Sequence, residues 1–157
     1  MKLKKTSKIV FEGSKLRLEF YKSAAGEVPA EEWLESQREK IQQKFAALFA
    51  WIGDHGKIWN EQKFKHLTGT TQLFEFKADD GRVLCFFISG KRLILTHGFS
   101  KKSDKTPVGE IERAESIKSD FIAFPVDTPK LVWQYLLDDK ARLSKKYAGV
   151  SRAVQYS

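Results

Sequence analysis

Positively charged side chains recur where predicted strands begin and end in the middle of this 157-residue sequence. Lys77 precedes the turn sequence Asp79-Asp80-Gly81 and Arg82 follows it, while Lys101 comes just after a strand that ends near Phe99. Because successive strands of a meander run in opposite directions, Lys101 should lie at the same end of the sheet as Arg82. Lysine and arginine stabilise the negative charge that develops on a reacting phosphate. The spacing therefore predicts a phosphate site.

Other basic residues lie close to these positions in the sequence. They are Lys63, Lys65 and His66 before the first meander strand, and Lys102 and Lys105 beside Lys101. Such a set suits RNA cleavage without a metal ion, in which a ribose 2′-hydroxyl attacks the adjacent phosphate. The cations would stabilise the developing charge, and a histidine or a lysine with a lowered pKa could transfer protons. Loop lysines that are only solvated surface residues give the same pattern, so both interpretations stay open.

Metal, nucleotide and nucleophile sites have little support in the sequence. His55, His66 and His97 fall on different predicted elements, and the chain has no Cys-x-x-Cys, His-x-x-x-His or dense carboxylate cluster. Gly90-Lys91-Arg92 lacks the upstream glycine and the Ser or Thr of a P-loop. A Ser-His-Asp triad has no fixed sequence order, and nothing here points to one. We therefore expect neither a metal ion nor another cofactor.

The basic charge of the chain is concentrated in three places. The net charge is +8, and residues 1–15 contribute +4 from five lysines and Glu12. Residues 122–157 contribute +3 from six basic and three acidic side chains, and Lys91–Lys105 carries a local excess of +4. A basic field raises the local concentration of phosphate-bearing ligands. The distribution favours a polyanionic partner.

Cysteine usage and hydropathy indicate the compartment. The single cysteine, Cys85, excludes an internal disulfide and lies in an apolar run, where it is predicted to be a core residue. No apolar segment of a secretory signal follows the basic N-terminus, and no run approaches the ~18 apolar residues of a membrane span. We expect a soluble, cytoplasmic protein without a membrane partner.

Five segments have the composition and periodicity of β-strands. Turn-forming sequences separate the last three, which predicts an antiparallel meander, and one or both of the first two should join the same sheet. The segments are Lys8–Phe11, Lys15–Tyr21, Leu73–Lys77, Val83–Ser89 and Arg92–Phe99.

Three segments have the pattern of helices. Glu31–Ile52 has apolar residues at helical spacing and is followed by Gly53-Asp54-His55-Gly56, which should stop it. Thr106 is predicted to cap a helix that begins at Pro107 and packs on the sheet through about Phe121. A third, amphipathic helix should cover about 128–145 and either pack on its own domain or meet a partner protein. The fold class is therefore α+β.

Several of these segments, taken in order, resemble the RelE/HigB toxin superfamily of bacterial toxin-antitoxin systems, particularly its phage-type HigB-like branch. Two pieces are similar to the branch's His-Gly-Phe-x-Lys-Lys-x-x-Lys-Thr-Pro signature and to the Glu-Ile-Glu-x-Ala helix after it. The resemblance covers about Leu18–Phe121. The matching pieces are Lys65-His66-Leu67-Thr68-Gly69, Leu73-Phe74-Glu75-Phe76-Lys77, Gly81-Arg82-Val83-Leu84, His97–Pro107 and Glu110-Ile111-Glu112-Arg113-Ala114.

The resemblance implies a RelE-like fold in which N-terminal helices and a helix after the last strand pack with a small antiparallel sheet. It divides the chain into a toxin domain, residues 1–121, and a basic helical C-terminal extension, residues 122–157. It also implies a metal-independent endoribonuclease that cuts mRNA, usually on the ribosome, and is restrained by an antitoxin, expected to be a helix-turn-helix protein. The extension could contact RNA or the ribosome, or cover the helix face that antitoxin usually approaches.

The resemblance also assigns site residues. Arg82 matches the arginine that contacts the scissile phosphate, and Lys77 matches a basic position of the branch. The predicted catalytic residues are Lys77, Arg82, His97, Lys101 and Lys102, and the predicted RNA contacts are Lys63, Lys65, His66, Lys91, Arg92 and Lys105.

Proton transfer is the least defined part of this prediction. Glu75 stands where RelE-like relatives carry a lysine, so His97 or a lysine would have to move protons. His97 shares strand parity with Leu93 and Leu95 and could instead point into the core or end the strand as a structural residue. His66, expected in a loop, is a second histidine candidate.

Two other functions stay open. One is a non-catalytic RNA-binding or regulatory protein that retains the RelE-like fold. The other is a gyrase poison like the ParE-like branch, from which the Lys-x-x-Lys-Thr-Pro signature points away.

Overall fold

The computed structural model describes residues 7–123, which form a six-stranded sheet with helices on both faces. The predicted α+β class is confirmed, and the fold is compatible with that of RelE-like toxins. The strands are β1 (Ser7–Glu12), β2 (Arg17–Tyr21), β3 (Phe64–Leu67), β4 (Leu73–Ala78), β5 (Gly81–Ile88) and β6 (Arg92–Ser100). The helices are α1 (Pro29–Glu35), α2 (Glu39–His55) and α3 (Val108–Ala123).

The strands lie in the order β1-β2-β6-β5-β4-β3. Strands β4, β5 and β6 form the predicted antiparallel meander. Both N-terminal strands join the sheet, and β2 pairs in parallel with β6, its neighbour in space but not in sequence. The meander thus lies inside the sheet, between β2 and β3.

Successive residues of the central strands alternate between two hydrophobic cores. Val83, Cys85 and Leu95 pack with α1 and α2 on what we call the helix-pair face, whereas Leu84 and Ile94 pack with α3 on the α3 face. Strands buried on both faces show this pattern. Cys85 is fully buried, as predicted, and burial raises the pKa of its thiol well above the usual value.

The helix predicted over Glu31–Ile52 is two helices. The Trp33 carbonyl accepts hydrogen bonds from the Ser36 hydroxyl at 2.6 Å and from the Gln37 side-chain amide at 3.2 Å. These polar side chains satisfy a helix-terminal carbonyl, and Arg38 then adopts an extended conformation with φ of −63° and ψ of 150°. Helix α2 continues past the predicted end at Ile52 to His55, and it stops at Gly56, whose φ of 81° suits a residue without Cβ.

Strand β3 was not predicted. Its four residues pair with β4, so that Lys65 lies opposite Glu75 and His66 opposite Phe74. The expectation that His66 lies in a loop is therefore wrong. Phe64 and Leu67 are buried on opposite faces, with two polar residues between them, so the segment lacks the simple apolar alternation of a longer strand.

A β-bulge in β6 changes the direction of its side chains. Val83 lies opposite Gly98 and Cys85 opposite Leu95, so two residue steps on β5 match three on β6. His97 consequently reaches Glu110 of α3 rather than the face of Leu95, and the predicted shared orientation with Leu93 and Leu95 is wrong. Gly98 faces α1, where a Cβ atom would lie 2.3 Å from the Trp33 ring.

The connection into α3 also differs from the prediction. The Pro107 carbonyl accepts the backbone N–H groups of Glu110 at 3.1 Å and Ile111 at 3.2 Å, so α3 begins at Val108. Thr106, predicted as the cap, instead donates its hydroxyl to Glu75. The helix predicted over 128–145 lies outside the described residues. Within 7–123, none of the helices is long and apolar enough to span a membrane.

Candidate functional site

Four cations and one carboxylate lie together on the α3 face, at the end of the sheet where β5 begins. We call Lys65, Glu75, Lys77, Arg82 and Lys101 the cation cluster. The register places Lys65 opposite Glu75 and Lys77 opposite Arg82. Arg82 also lies opposite Phe99, and the Lys101 backbone N–H donates to the Asp80 carbonyl at 2.9 Å. Arg82 and Lys101 therefore lie at the same end of the sheet, as the meander predicts, and Lys77 lies beside Arg82.

Glu75 is the centre of the cluster, and its side chain is only 1% exposed. Its Oε1 lies 3.6 Å from Arg82 Nε and 3.9 Å from Lys101 Nζ, while its Oε2 accepts the Thr106 hydroxyl at 2.5 Å. A buried carboxylate needs cations and hydrogen bonds in place of water. Glu75 therefore links β4 to the start of β5 and to the connection between β6 and α3.

Arg82 forms its hydrogen bonds from one nitrogen only. Its Nη1 donates to the carbonyls of Asp79 at 2.7 Å and Gly81 at 2.8 Å, within the β4–β5 turn. Its Nε is buried and has no hydrogen-bond acceptor among residues 7–123, since 3.6 Å to Glu75 is too long. The two donors of a guanidinium edge suit bidentate binding of a phosphate. The Nε–Nη2 edge of Arg82 is thus not used by a hydrogen bond within the described part of the chain.

Lys101 is the most buried cation of the cluster, with a side chain 4% exposed. Its Nζ donates to the Asp104 carbonyl at 2.8 Å. Burial lowers the pKa of Lys101, the charges of Arg82, Lys77 and Lys65 lower it further, and Glu75 opposes this effect. A lysine with a lowered pKa exchanges its proton closer to neutral pH. Lys101 is therefore the residue of the cluster best suited to proton transfer.

Several predicted site residues lie outside the cluster. Lys102 and Lys105 are exposed in the connection between β6 and α3. Lys91 and Arg92 lie at the other end of the β5–β6 hairpin, where Arg92 pairs with Ile88. Six residue steps along β5 from Arg82 to Ile88 span about 20 Å. Lys63 precedes β3, and its carbonyl accepts the Lys77 backbone N–H at 2.9 Å, which places its backbone beside the cluster.

The two histidine candidates, His97 and His66, lie in different environments. The His97 side chain is 1% exposed, with Nε2 2.9 Å from Glu110 Oε1 and Nδ1 3.1 Å from Thr96 Oγ1. Burial lowers the pKa of His97, although the hydrogen bond to Glu110 opposes this. His66 packs against Phe74, with ring centroids 5.0 Å apart, and its Nε2 is buried. Of the interpretations left open for His97, the geometry favours the structural one.

The described side chains of the site do not form a recognisable set of metal ligands. Among residues 7–123, no three His, Cys, Asp or Glu side chains group as metal ligands would. The arrangement provides an excess of positive charge, a guanidinium edge and a lysine with a lowered pKa.

The family model described as Phage derived protein Gp49-like (DUF891) matches residues 32–119. This range contains the whole cation cluster and Thr106. The chain belongs to the Gp49-like family. This is a RelE/toxin-like family found in toxin-antitoxin systems. None of the curated proteins matches the chain.

Two residues that contact the cluster's cations or carboxylate were not recognised from sequence as members of the site. Both lie in segments that resemble the family, but Glu75 was interpreted as a departure from RelE-like relatives and Thr106 as a helix cap. The two-residue period of a strand places Glu75 on the same face as Lys77, which is the signal that could have identified it. The hydroxyl of Thr106 reaches Glu75 through a tertiary contact, for which the sequence has no local signal.

Proposed function

We propose that this Gp49-like chain is a HigB-like toxin that cleaves mRNA on the ribosome without a metal ion. Membership of a toxin-antitoxin family supports the toxin role. The observation that supports RNA cleavage is the cation cluster, in which Arg82, whose Nε has no hydrogen bond and lies 3.6 Å from Glu75, is next to Lys101, a lysine with a lowered pKa. The partners that this proposal requires are mRNA, the ribosome and an antitoxin.

In the proposed reaction, the 2′-oxygen of a ribose forms a bond to the adjacent phosphorus and releases its proton to solvent or to a neutral lysine. The bond from phosphorus to the 5′-oxygen breaks, and Lys101 donates a proton to that oxygen. Arg82, Lys77 and Lys65 stabilise the charge on the non-bridging oxygens. The products are a 2′,3′-cyclic phosphate and a 5′-hydroxyl. His97 has no part in this scheme, because both ring nitrogens lie within hydrogen-bond distance of protein partners.

A second candidate function is RNA binding without cleavage. Two observations favour it. Both ring nitrogens of His97 have protein partners, and Glu75 stands where RelE-like relatives carry a lysine, so fewer groups are free to transfer protons. RNA would then bind the cluster through charge, and its affinity would fall steeply with salt.

Incubation of the purified chain with ribosomes and a defined mRNA separates the two candidates. We expect cuts at discrete positions, products ending in 2′,3′-cyclic phosphate, and no cut where a single 2′-deoxynucleotide replaces the nucleophile. Naked mRNA of the same sequence tests the need for the ribosome. Salt-sensitive RNA binding with no product would favour the second candidate, and products ending in 3′-hydroxyl would contradict the proposed chemistry.

Co-expression tests the toxin role independently of the chemistry. A helix-turn-helix protein encoded beside this chain should restore the growth of cells that express it. Growth inhibition that the neighbouring protein does not relieve would argue against a toxin-antitoxin pair.

A further inference from the structure

An aromatic pocket opens on the helix-pair face near β3, at one edge of the sheet. Its volume is about 440 Å³, and its aromatic walls are Trp59, Phe64, His66, Phe74 and Phe87. Phe64 and Phe74 stack with ring centroids 5.3 Å apart, and Phe87 meets Phe74 edge-on at 5.1 Å. Gly56, Lys57, Ile58 and Glu61 complete the lining. We call this the Trp59 pocket.

Trp59 is the most exposed large hydrophobic residue among those described, at 82%. The Lys57 ammonium lies 4.9 Å from the centroid of its ring, so a cation already covers part of the indole. The Nε2 of His66, in the wall of the pocket, is buried without a hydrogen-bond partner among residues 7–123. The pocket thus combines a solvent-facing aromatic ring, a cation and an unsatisfied ring nitrogen.

A second groove, also about 440 Å³, is lined by residues adjacent to this pocket and by Lys77 of the cation cluster. Its lining includes Lys44, Lys63, Lys77 and Asp79, and Lys77 belongs to the cluster as well. Segment 59–64 contributes to both cavities. Trp59, Glu61 and Phe64 line the pocket, and Asn60, Gln62 and Lys63 line the groove. Asp79 pairs with Lys44 at 2.9 Å, whereas neither Lys63 nor Lys77 forms an ion pair with another described residue. The groove therefore presents two lysines to an anionic chain.

We propose that the Trp59 pocket binds an unpaired base of single-stranded RNA, whose phosphates follow Lys63 and Lys77 away from the cation cluster. Basic grooves that alternate with exposed aromatic rings are the usual means of binding single-stranded nucleic acid, because every base has a π-face that can stack. An apolar pocket alone could equally receive a protein side chain, but the lysines without ion pairs along the groove favour a polyanion. The inference deepens the proposed function and rests on RNA being the ligand of the cluster.

The test measures the affinity of the full chain for fluorescent 2′-O-methyl oligonucleotides of about 4 and about 12 nucleotides, sizes within the range that small single-strand-binding folds cover. The 2′-O-methyl groups remove the nucleophile, so the ligand stays intact. We expect Trp59→Ala to weaken binding of the longer oligonucleotide about tenfold and to remove most of its advantage over the shorter one. Trp59→Phe should retain most of the affinity, since its ring can still stack.

Matched variants distinguish stacking from charge and from general damage. Trp51→Ala removes a tryptophan that is 54% exposed on α2 and stacks on His55 outside the pocket, so its affinity should not change. Lys63→Ala should reduce the slope of log affinity against log salt by about 1, whereas Trp59→Ala should leave that slope unchanged.

The outcomes separate this inference from the proposed function. If Trp59→Ala binds RNA as tightly as the native chain, or if Trp51→Ala loses as much affinity as Trp59→Ala, the Trp59 pocket is not an RNA site. Cleavage of mRNA by the native chain would still support the proposed function. Loss of antitoxin neutralisation in Trp59→Ala with unchanged RNA affinity would overturn the pocket as an RNA site and identify a protein-docking surface. A chain that binds RNA through Trp59 yet cuts no mRNA would support the pocket and contradict the catalytic function.

Discussion

The α3 face of the sheet carries two arginine–glutamate pairs that differ in their geometry. At one end, Arg92 donates from Nε and Nη2 to Glu19 at 2.5 and 2.8 Å, and the Ser7 hydroxyl also donates to Glu19. At the other end, Arg82 Nε remains 3.6 Å from Glu75, and that carboxylate is shared with Lys101 and Thr106. Both carboxylates are almost completely buried.

The difference teaches which end is structural and which can accept a ligand. Burial raises the pKa of Glu19, but the hydrogen bonds from Arg92 and Ser7 together bring it below the usual value, as expected for a satisfied ion pair. In the cation cluster, four cations surround one carboxylate. The excess positive charge and the longer distance between Arg82 and its carboxylate leave that end able to bind an anion.

The sharpest test compares the two arginines. Arg82→Ala should reduce mRNA cleavage by about 10²–10³-fold, because the transition state loses its guanidinium. It should lower the free energy of unfolding by less than Arg92→Ala does, because Lys101 and Thr106 still contact Glu75. Arg92→Ala should instead lower the free energy of unfolding by about 3 kcal/mol, since Glu19 stays buried without its main partner. Cleavage rates per folded molecule and urea denaturation measure the two effects. The comparison fails if Arg92→Ala, when folded, is as inactive as Arg82→Ala.

A comparison of Lys101 with Lys102 distinguishes the role of a buried charge from that of an exposed charge at the adjacent position. Lys101→Met should slow single-turnover cleavage by about 10²-fold, because it removes the proposed proton donor, whereas Lys102→Met should change the rate by less than about fivefold. Because the pKa of Lys101 is lowered, activity should decline on the alkaline side at a lower pH than an ordinary lysine would give. Lys101→Arg keeps the positive charge but does not release a proton near neutral pH, so it should cleave about as slowly as Lys101→Met. Cleavage by Lys101→Arg at the native rate would contradict this role.

Glu75→Gln tests whether the carboxylate of the cluster limits anion binding. The amide can still accept the Thr106 hydroxyl, but it removes one negative charge, so RNA should bind about threefold to tenfold more tightly at low salt. The pKa of Lys101 should fall further, because Glu75 raises it in the native protein, and the alkaline limb of the rate profile should move to lower pH. Glu19→Gln is the matched control and should not alter RNA affinity. Equal effects of Glu75→Gln and Glu19→Gln on RNA affinity would mean that the two ends of the α3 face do not differ in anion binding.

The smallest expected effect concerns His97, another buried titratable group of the α3 face. Its pKa in the folded protein lies below the ordinary 6.5, so the unfolded chain takes up a proton first and the free energy of unfolding should fall as the pH drops below that value. His97→Asn should lose about 1 kcal/mol near neutral pH and show a weaker fall on acidification. Urea denaturation at about pH 7.5 and about pH 5.5 measures both changes. A cleavage defect in His97→Asn, measured per folded molecule, would contradict the structural role of His97.

The parts of the fold that sequence predicts well are those fixed by local signals. The turn sequences Asp79-Asp80-Gly81 and Ser89-Gly90 delimit the meander, and its up-and-down course brings Arg82 beside Lys101. Prediction fails where a tertiary contact decides. The parallel pairing of β2 with β6 joins residues far apart in sequence, and the bulge before Gly98, where Trp33 packs against the strand, redirects His97. The chemical character of the site was thus predictable from residue types, but the central position of Glu75 was not.

The parallel pairing of β2 with β6 also determines how early the sheet can form during synthesis. β2 ends at Tyr21 and cannot find its partner until the chain from Arg92 onward exists. At a synthesis rate of about 5–20 residues per second, that interval lasts about 4–15 s, during which one edge of the β1–β2 hairpin remains open. Contacts of such long sequence separation also slow folding. Since Lys101 and Thr106 follow β6, a ribosome must finish nearly the whole described domain before the newly made chain has an assembled cation cluster.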